Sequence, residues 1–202
     1  MTNVLIIGAT GSIGRVTRQY FLNNSDDQLT LMARHTNSLQ KQLNPQRERL
    51  ITGDVTNPKD LKIALQEQEV VFAALSGDLP KMAHSLVEQM TKSEVQRLLF
   101  ISSMGIYNEI PATIGTKGNL KNNPLLSTYR QAADIIAAST LNYTIIRPGW
   151  FDNGNDLDYQ ITHKGESFGG HDVSRKSIAD LVLHLAHDPQ LGSRDSLGIN
   201  RI

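Results

Sequence analysis

Cysteine is absent from this chain. That excludes disulfides, a thiol nucleophile and any thiolate metal site. Net charge is lacking too, since 20 Lys and Arg balance 20 Asp and Glu. A nucleic-acid partner normally meets a basic face, so none is expected, although zero net charge is compatible with a local basic pocket. Aromatics are scarce, at 5% with a single Trp. No apolar run approaches the roughly 20 residues a membrane helix needs, so no membrane association is expected. The first predicted strand begins near Asn3, which leaves no room for a signal peptide. The expectation is therefore a soluble, cytoplasmic protein. The six His are scattered, and His184 and His187, which share a helix face, have no acid at ligand spacing. Asp152, Asp156 and Asp158, with Asn153 and Asn155, resemble a calcium loop only faintly, because His163 stands where its terminal Glu belongs. No metal site is predicted.

What is present is an alternation. Strands are predicted at Val4–Ile7, Leu29–Ala33, Leu50–Thr52, Val70–Leu75, Leu98–Ser102 and Thr144–Arg147. Helices are predicted between and after them at Ile13–Leu22, Pro58–Gln68, Lys81–Lys92, Leu125–Ala138 and Arg175–His187. Such alternation implies an α/β fold of the doubly wound, Rossmann-like kind, with a parallel sheet covered on both faces. At 202 residues a single domain spanning 1–202 is expected, with a small C-terminal substrate lobe. Asn57-Pro58 reads as a helix cap and first helical position, and Asp188-Pro189 as a helix stop. Two irregular stretches, 104–124 and 150–172, follow strands and are the expected substrate walls.

The first crossover carries the strongest signal. Residues 4–15 read Val-Leu-Ile-Ile-Gly-Ala-Thr-Gly-Ser-Ile-Gly-Arg. Gly8 permits a tight turn out of the strand, Gly11 lets backbone approach a pyrophosphate, and Gly14 lets the helix sit close to the sheet. Thr10, Gly11, Ser12, Ile13 and Gly14 then present the helix N-terminus to phosphate. An NAD-binding unit usually places an acid at the end of the next strand. Here Arg34 stands there, followed by His35. A guanidinium suits the extra phosphate of NADP(H), with Arg15 as a second positive charge, so NADP(H) is preferred over NAD(H). The plainer alternative is a solvated strand-end charge. Asp54 and Val55 are candidates for the adenine, with a turn aspartate as the alternative. The small residues Ala74, Leu75 and Ser76 are candidates to lie along the ribose, with tight packing as the alternative.

These residues resemble the short-chain dehydrogenase/reductase superfamily. Phe100-Ile-Ser-Ser-Met-Gly-Ile-Tyr107 and Tyr143-Thr-Ile-Ile-Arg-Pro-Gly149 are similar to its patterns, as is Val173–Val182. The closer resemblance is to its atypical members, the NmrA-like and biliverdin/flavin-reductase-like NAD(P)H-binding proteins. It implies that Ser102, Pro148 and Gly149 lie beside the cofactor, and that Ser103 orients a carbonyl. Tyr129 is the candidate proton donor, yet the residue four positions on is Ala133 where the superfamily has Lys. Without that ammonium a Tyr is a weaker acid–base group near neutral pH. The plainer alternatives are a strand-end serine bonding its own backbone and a tyrosine packing on the sheet. Tyr107, Trp150 and Phe151 are candidates to contact a planar substrate, the last two alternatively serving as lobe core.

The expected function is an NADP(H)-dependent oxidoreductase passing hydride to a flavin, a quinone or a small carbonyl compound. A non-catalytic, redox-sensing regulator of the NmrA type is the alternative, and a sugar-nucleotide epimerase a weaker one. Beyond a small-molecule substrate, a second copy of the chain or a regulatory protein remains a candidate partner.

Overall fold

The computed structural model describes all 202 residues. In chain order the elements are β1 (Asn3–Ile7), α1 (Ser12–Asn24), β2 (Gln28–Ala33), the single turn α2 (Asn37–Gln40), β3 (Glu48–Thr52), α3 (Pro58–Ala64), β4 (Val70–Ala73), α4 (Leu79–Thr91) and β5 (Arg97–Ile101). After two short 3-10 turns come α5 (Ser127–Ala137), β6 (Asn142–Pro148), β7 (Trp150–Asp152), β8 (Tyr159–Thr162), β9 (Asp172–Ser174), α6 (Arg175–His187) and β10 (Asp195–Arg201). Eight strands form one sheet in the order β3-β2-β1-β4-β5-β6-β10-β8. Only β8 runs antiparallel to its neighbour, β10. A separate parallel pair, β7 with β9, stands over the end of β6. This is an α/β Rossmann arrangement.

The strands are apolar in unbroken runs because both faces are covered. Leu5 and Ile7 of β1 pack with Leu61, Leu86 and Ile136 from α3, α4 and α5. Val4 and Ile6 point the other way, to Ile13 and Phe21 of α1 and to Ile178 and Val182 of α6. The caps sit where the chain places them. Asn57 accepts from the Lys59 amide ahead of Pro58, and Ser174 accepts from the Ser177 amide.

Six of the ten strands are those predicted. The other four follow Pro148; β7, β8 and β9 are only three or four residues long, too short for a pattern to show. β10 reads Asp-Ser-Leu-Gly-Ile-Asn-Arg, yet it lies inside the sheet. Its buried Ser196 is satisfied by Arg147, and a Cβ on Gly198 would collide with Thr162 and Phe168. Those partners are distant in sequence, so no local pattern reveals the strand. The helix predicted to run to Gln68 stops at Ala64, and Glu67 then turns with φ of 63°.

Asp27 ties the start of β1 to the end of α6. Its carboxylate accepts from the Thr2 amide at 2.8 Å and faces His187 Nε2 at 2.6 Å. Burial by itself raises this carboxyl. Hydrogen bonds from Thr2, His187 and Ser25 outweigh that and hold it below the usual carboxylate range. A depressed folded-state pKa stabilises above the unfolded value of about 3.9, and that share is lost as pH falls through the folded value. In urea unfolding, the parent's advantage over Asp27→Asn is expected to shrink from about pH 5 to pH 3. An advantage constant over that range would show that the charge on Asp27 contributes nothing.

Candidate functional site

Strand order reverses between β1 and β4, so their carboxyl ends open a crevice. Gly8 leaves β1 with φ of 85°, and a Cβ there would lie 2.1 Å from the Ala74 carbonyl oxygen. A Cβ on Gly14 would lie 2.3 Å from the Gly8 oxygen. Gly11 differs, because its Cβ would meet only the Gly8 oxygen, at 3.2 Å. Gly11 is also the N-cap of α1 and offers no side-chain cap, and no acid occupies the first turn. The Arg15 amide is the first to return into the helix, to Gly11 at 3.0 Å. The amides of Ser12, Ile13 and Gly14 meet neither a carbonyl nor a side-chain acceptor. Three such N–H groups at the positive end of a helix form an anion site.

A cavity of about 160 Å³ adjoins this turn. Gly8, Thr10 and Gly11 form one wall, Ala74, Leu75 and Ser76 another, and Met82 closes part of it. Arg34, at the end of β2, faces Asp54 and Val55 across it. The Asp54 carboxyl is held below the usual range by the Thr56 amide and hydroxyl, both bonded to its Oδ1, with Arg34 and Lys81 adding to the effect. Arg15 folds back on the turn. Its Nε donates to the Thr10 carbonyl at 2.8 Å and a terminal nitrogen to Ser38 Oγ at 3.1 Å. That places a second guanidinium between the glycine turn and α2, outside the residues that line this cavity.

A chamber of about 430 Å³ lies at the ends of β5 and β6. Ser102, Ser103 and Met104 form one side of it, and Pro148, Gly149, Trp150 and Phe151 another. Leu126 and Tyr129 reach it from the start of α5, with Gly118 and Asn123 at the edge. No charged side chain lines it. Trp150 is 66% exposed and stacks on His171, with ring centroids 6.0 Å apart. The Arg175 guanidinium lies 4.7 Å above the Phe151 ring.

Of the predicted catalytic pair, Ser103 Oγ donates to the Met104 carbonyl at 3.0 Å, as a strand-end serine does. Tyr129 presents a partly buried phenol to the chamber. Ala133, one turn on, is fully buried in the core, so the position of the superfamily's lysine points away from solvent. The neighbouring cation, Arg130, is held by Asp134 at 2.8 Å and lies over the Tyr107 ring. Tyr107 itself stands outside the chamber wall, between Arg130, Arg147 and Lys164. Burial pushes its phenol up.

Met104, Gly118 and Asn123 line the chamber from the 104–124 stretch expected to form a substrate wall, whereas Met82 and Leu126 were not anticipated as lining residues. Sequence reasoning also missed Glu109, whose carboxylate pairs with Arg147 under the loop. An ion pair across so long a sequence separation leaves no local trace.

An α/β dinucleotide-binding protein is the class this turn, crevice and fold define. The chain matches the NAD(P)H-binding family model over residues 8–189 and belongs to that family. A Rossmann-fold NAD(P)-binding family protein from Shigella flexneri is 37% identical, with a TM-score of 0.83 over 100% of this chain and 94% of that one. A wide-type short-chain dehydrogenase/reductase from Veillonella parvula, solved in complex with NADP, is 28% identical, with a TM-score of 0.90 over 99% of this chain and 94% of that one. The chloroplastic protein TIC 62 of Arabidopsis thaliana is 31% identical over 113 residues, 53% of this chain. That match spans only 17% of the plant protein's length. No helix of this chain is long and apolar enough to cross a membrane.

Proposed function

We propose that this protein is an NADP(H)-dependent oxidoreductase that passes hydride to a small planar or carbonyl acceptor such as a flavin or quinone. The observation that carries the reading is the pairing of an uncapped glycine turn, with Arg34 on its rim, and a charge-free chamber at the adjacent strand ends. The residues fit the cofactor. The Ser12, Ile13 and Gly14 amides suit a pyrophosphate, and Gly11 leaves room for it to approach. Arg34 suits a 2′-phosphate by charge and by paired hydrogen bonds. Asp54 and Val55 suit an adenine, and the small Ala74 and Ser76 suit a ribose lying along the backbone. The bound nucleotide supplies the hydride. The chain supplies position, because two flat rings held face to face need little else for that transfer. No ammonium assists Tyr129, so an acceptor whose proton comes from solvent suits the site best.

Calorimetric titration with NADPH and NADH, followed by an acceptor screen with the tighter one, tests this. Arg34→Asp is expected to cost NADPH about 1.5–3 kcal/mol of binding, the worth of a charged hydrogen bond, and NADH much less. Equal losses for both would show that Arg34 does not select the phosphate. Tight NADPH binding with no turnover across the panel would replace the oxidoreductase reading by that of a cofactor-sensing regulator, which the buried Ala133 already favours.

A further inference from the structure

Helices α1 and α6 pack side by side on one face of the sheet. A groove of about 400 Å³ runs between them, with the loop that follows β7 as its third wall. It shares no lining residue with the glycine-turn cavity or with the chamber. Three cations line it, Arg15 from α1 and Arg175 and Lys176 from α6, and no acid does. None of the three is in an ion pair.

The fold does not ask for these charges. A helix start favours acidic side chains, because its free N–H groups are partly positive. Instead α6 opens on Arg175 and Lys176 and has no acid in its first turn. Acids are at hand in the neighbouring loop, but Asp152 and Asp156 both turn to Arg201, at 2.9 and 3.0 Å. The residues that this loop gives to the groove are Asn153 and Asn155. Asn153 Oδ1 accepts from Arg175 at 2.8 Å, and the Asn155 carbonyl accepts from Lys176 at 3.1 Å. Across the groove, Gln19 and Asn23 stand one turn apart on α1, joined by a hydrogen bond of 2.9 Å. That bond leaves the Gln19 oxygen and the Asn23 nitrogen free.

We propose that this groove is a second anion site, separate from the glycine turn, and that it takes a small phosphorylated polyol. The inference goes beyond the oxidoreductase reading and does not rest on it. The guanidiniums and the ammonium suit phosphate oxygens. Carboxamides both donate and accept, as hydroxyl groups require. Val16 and Tyr20 are the only hydrophobic residues in the lining, too few to hold an acyl chain or a bare aromatic ring.

Calorimetry with fructose 1,6-bisphosphate, inorganic phosphate and fructose, each with and without NADPH, tests this. The bisphosphate is expected to bind saturably in both conditions, inorganic phosphate at least about tenfold more weakly, and fructose not at all. Lys176→Glu is expected to weaken the bisphosphate at least about tenfold. The same variant is expected to melt no lower than the parent, since an acid suits that helix start. Gln19→Glu, on the opposite wall and exposed, is expected to weaken the bisphosphate by a similar factor. The loop stays in place in both variants, held by Arg201 and by the Ser174 and Ser177 hydroxyls, which donate to the Asp156 carbonyl. Arg34→Asp, in the other cavity, is expected to leave bisphosphate affinity within about twofold. No saturable binding, binding abolished by NADPH, or equal affinity in Lys176→Glu and Gln19→Glu would each overturn the site. So would a loss in Arg34→Asp as large as that in Lys176→Glu, which would put the phosphate at the glycine turn. Equal affinity for inorganic phosphate would overturn the polyol, and a lower melting point in Lys176→Glu would show that the lysine serves the fold instead.

Discussion

Glu109→Ala is expected to lower the unfolding free energy by about 3–5 kcal/mol, the usual cost of leaving one member of a buried ion pair alone. The Arg147 side chain is fully buried and that of Glu109 is 3% exposed. Arg147 also donates to Ser196 Oγ and to the Ser196 carbonyl, each at 3.0 Å. Those neutral partners stay in the variant but do not cancel the charge. Glu109 has a second task. It accepts the Gly105 amide at 3.0 Å and the Tyr107 amide at 2.8 Å, so it pins the start of the 104–124 wall. Arg147 lies within 5.4 Å of both the Tyr107 and Phe168 rings, one from each predicted substrate wall. A single buried pair anchored on β6 therefore touches both of the segments that follow β5 and β6. Urea unfolding measures the loss. Under native conditions the same variant is expected to raise the acceptor KM while leaving the NADPH Kd within about twofold, because the glycine turn is remote from the pair. A loss below about 1 kcal/mol would mean that water already reaches the pair.

That pair also marks where sequence reasoning stops. The first crossover is legible because each of its requirements is local. A strand, three spaced glycines and a helix start are contiguous, and the positive φ at Gly8 and the tight approach at Gly14 each demand glycine. Arg34 is legible for the same reason, since it ends the next strand. The chamber is assembled otherwise. Leu126 and Tyr129 arrive from α5, Ser102 from β5, and Trp150 from the ribbon beyond β6. Nothing in the order of residues says that they meet. Tyr107 is the converse case. Its place in a superfamily-like pattern suggested a substrate contact, while the structure surrounds it with three cations beneath the loop. β10 was hidden because what fits Ser196 and Gly198 to the sheet, namely Arg147, Thr162 and Phe168, is distant in sequence.

Gly11→Ala is expected to weaken NADPH about a hundredfold and to leave the free protein within about 1 kcal/mol of the parent. The backbone at Gly11 has φ of −72° and ψ of 166°, which any residue adopts. Its Cβ would touch only the Gly8 oxygen, at 3.2 Å, which a small shift relieves. Alanine also restricts the unfolded chain, which offsets that contact. Gly8 and Gly14 stand apart from it, because a Cβ at either would meet backbone at 2.1 Å or 2.3 Å, and replacing them damages the fold itself. The fold thus requires glycine at two of the three positions and is indifferent at Gly11. Glycine at Gly11 is explained by a ligand that must come close to the open end of α1. A methyl there holds a pyrophosphate off the Ser12 and Ile13 amides. Losing two charge-assisted hydrogen bonds, at about 1.5 kcal/mol each, costs about 3 kcal/mol, or roughly a hundredfold in Kd. Calorimetry and thermal melting on the same samples decide it. A variant that melts as the parent does and still binds NADPH as tightly would remove the diphosphate from this turn, and the cofactor assignment with it.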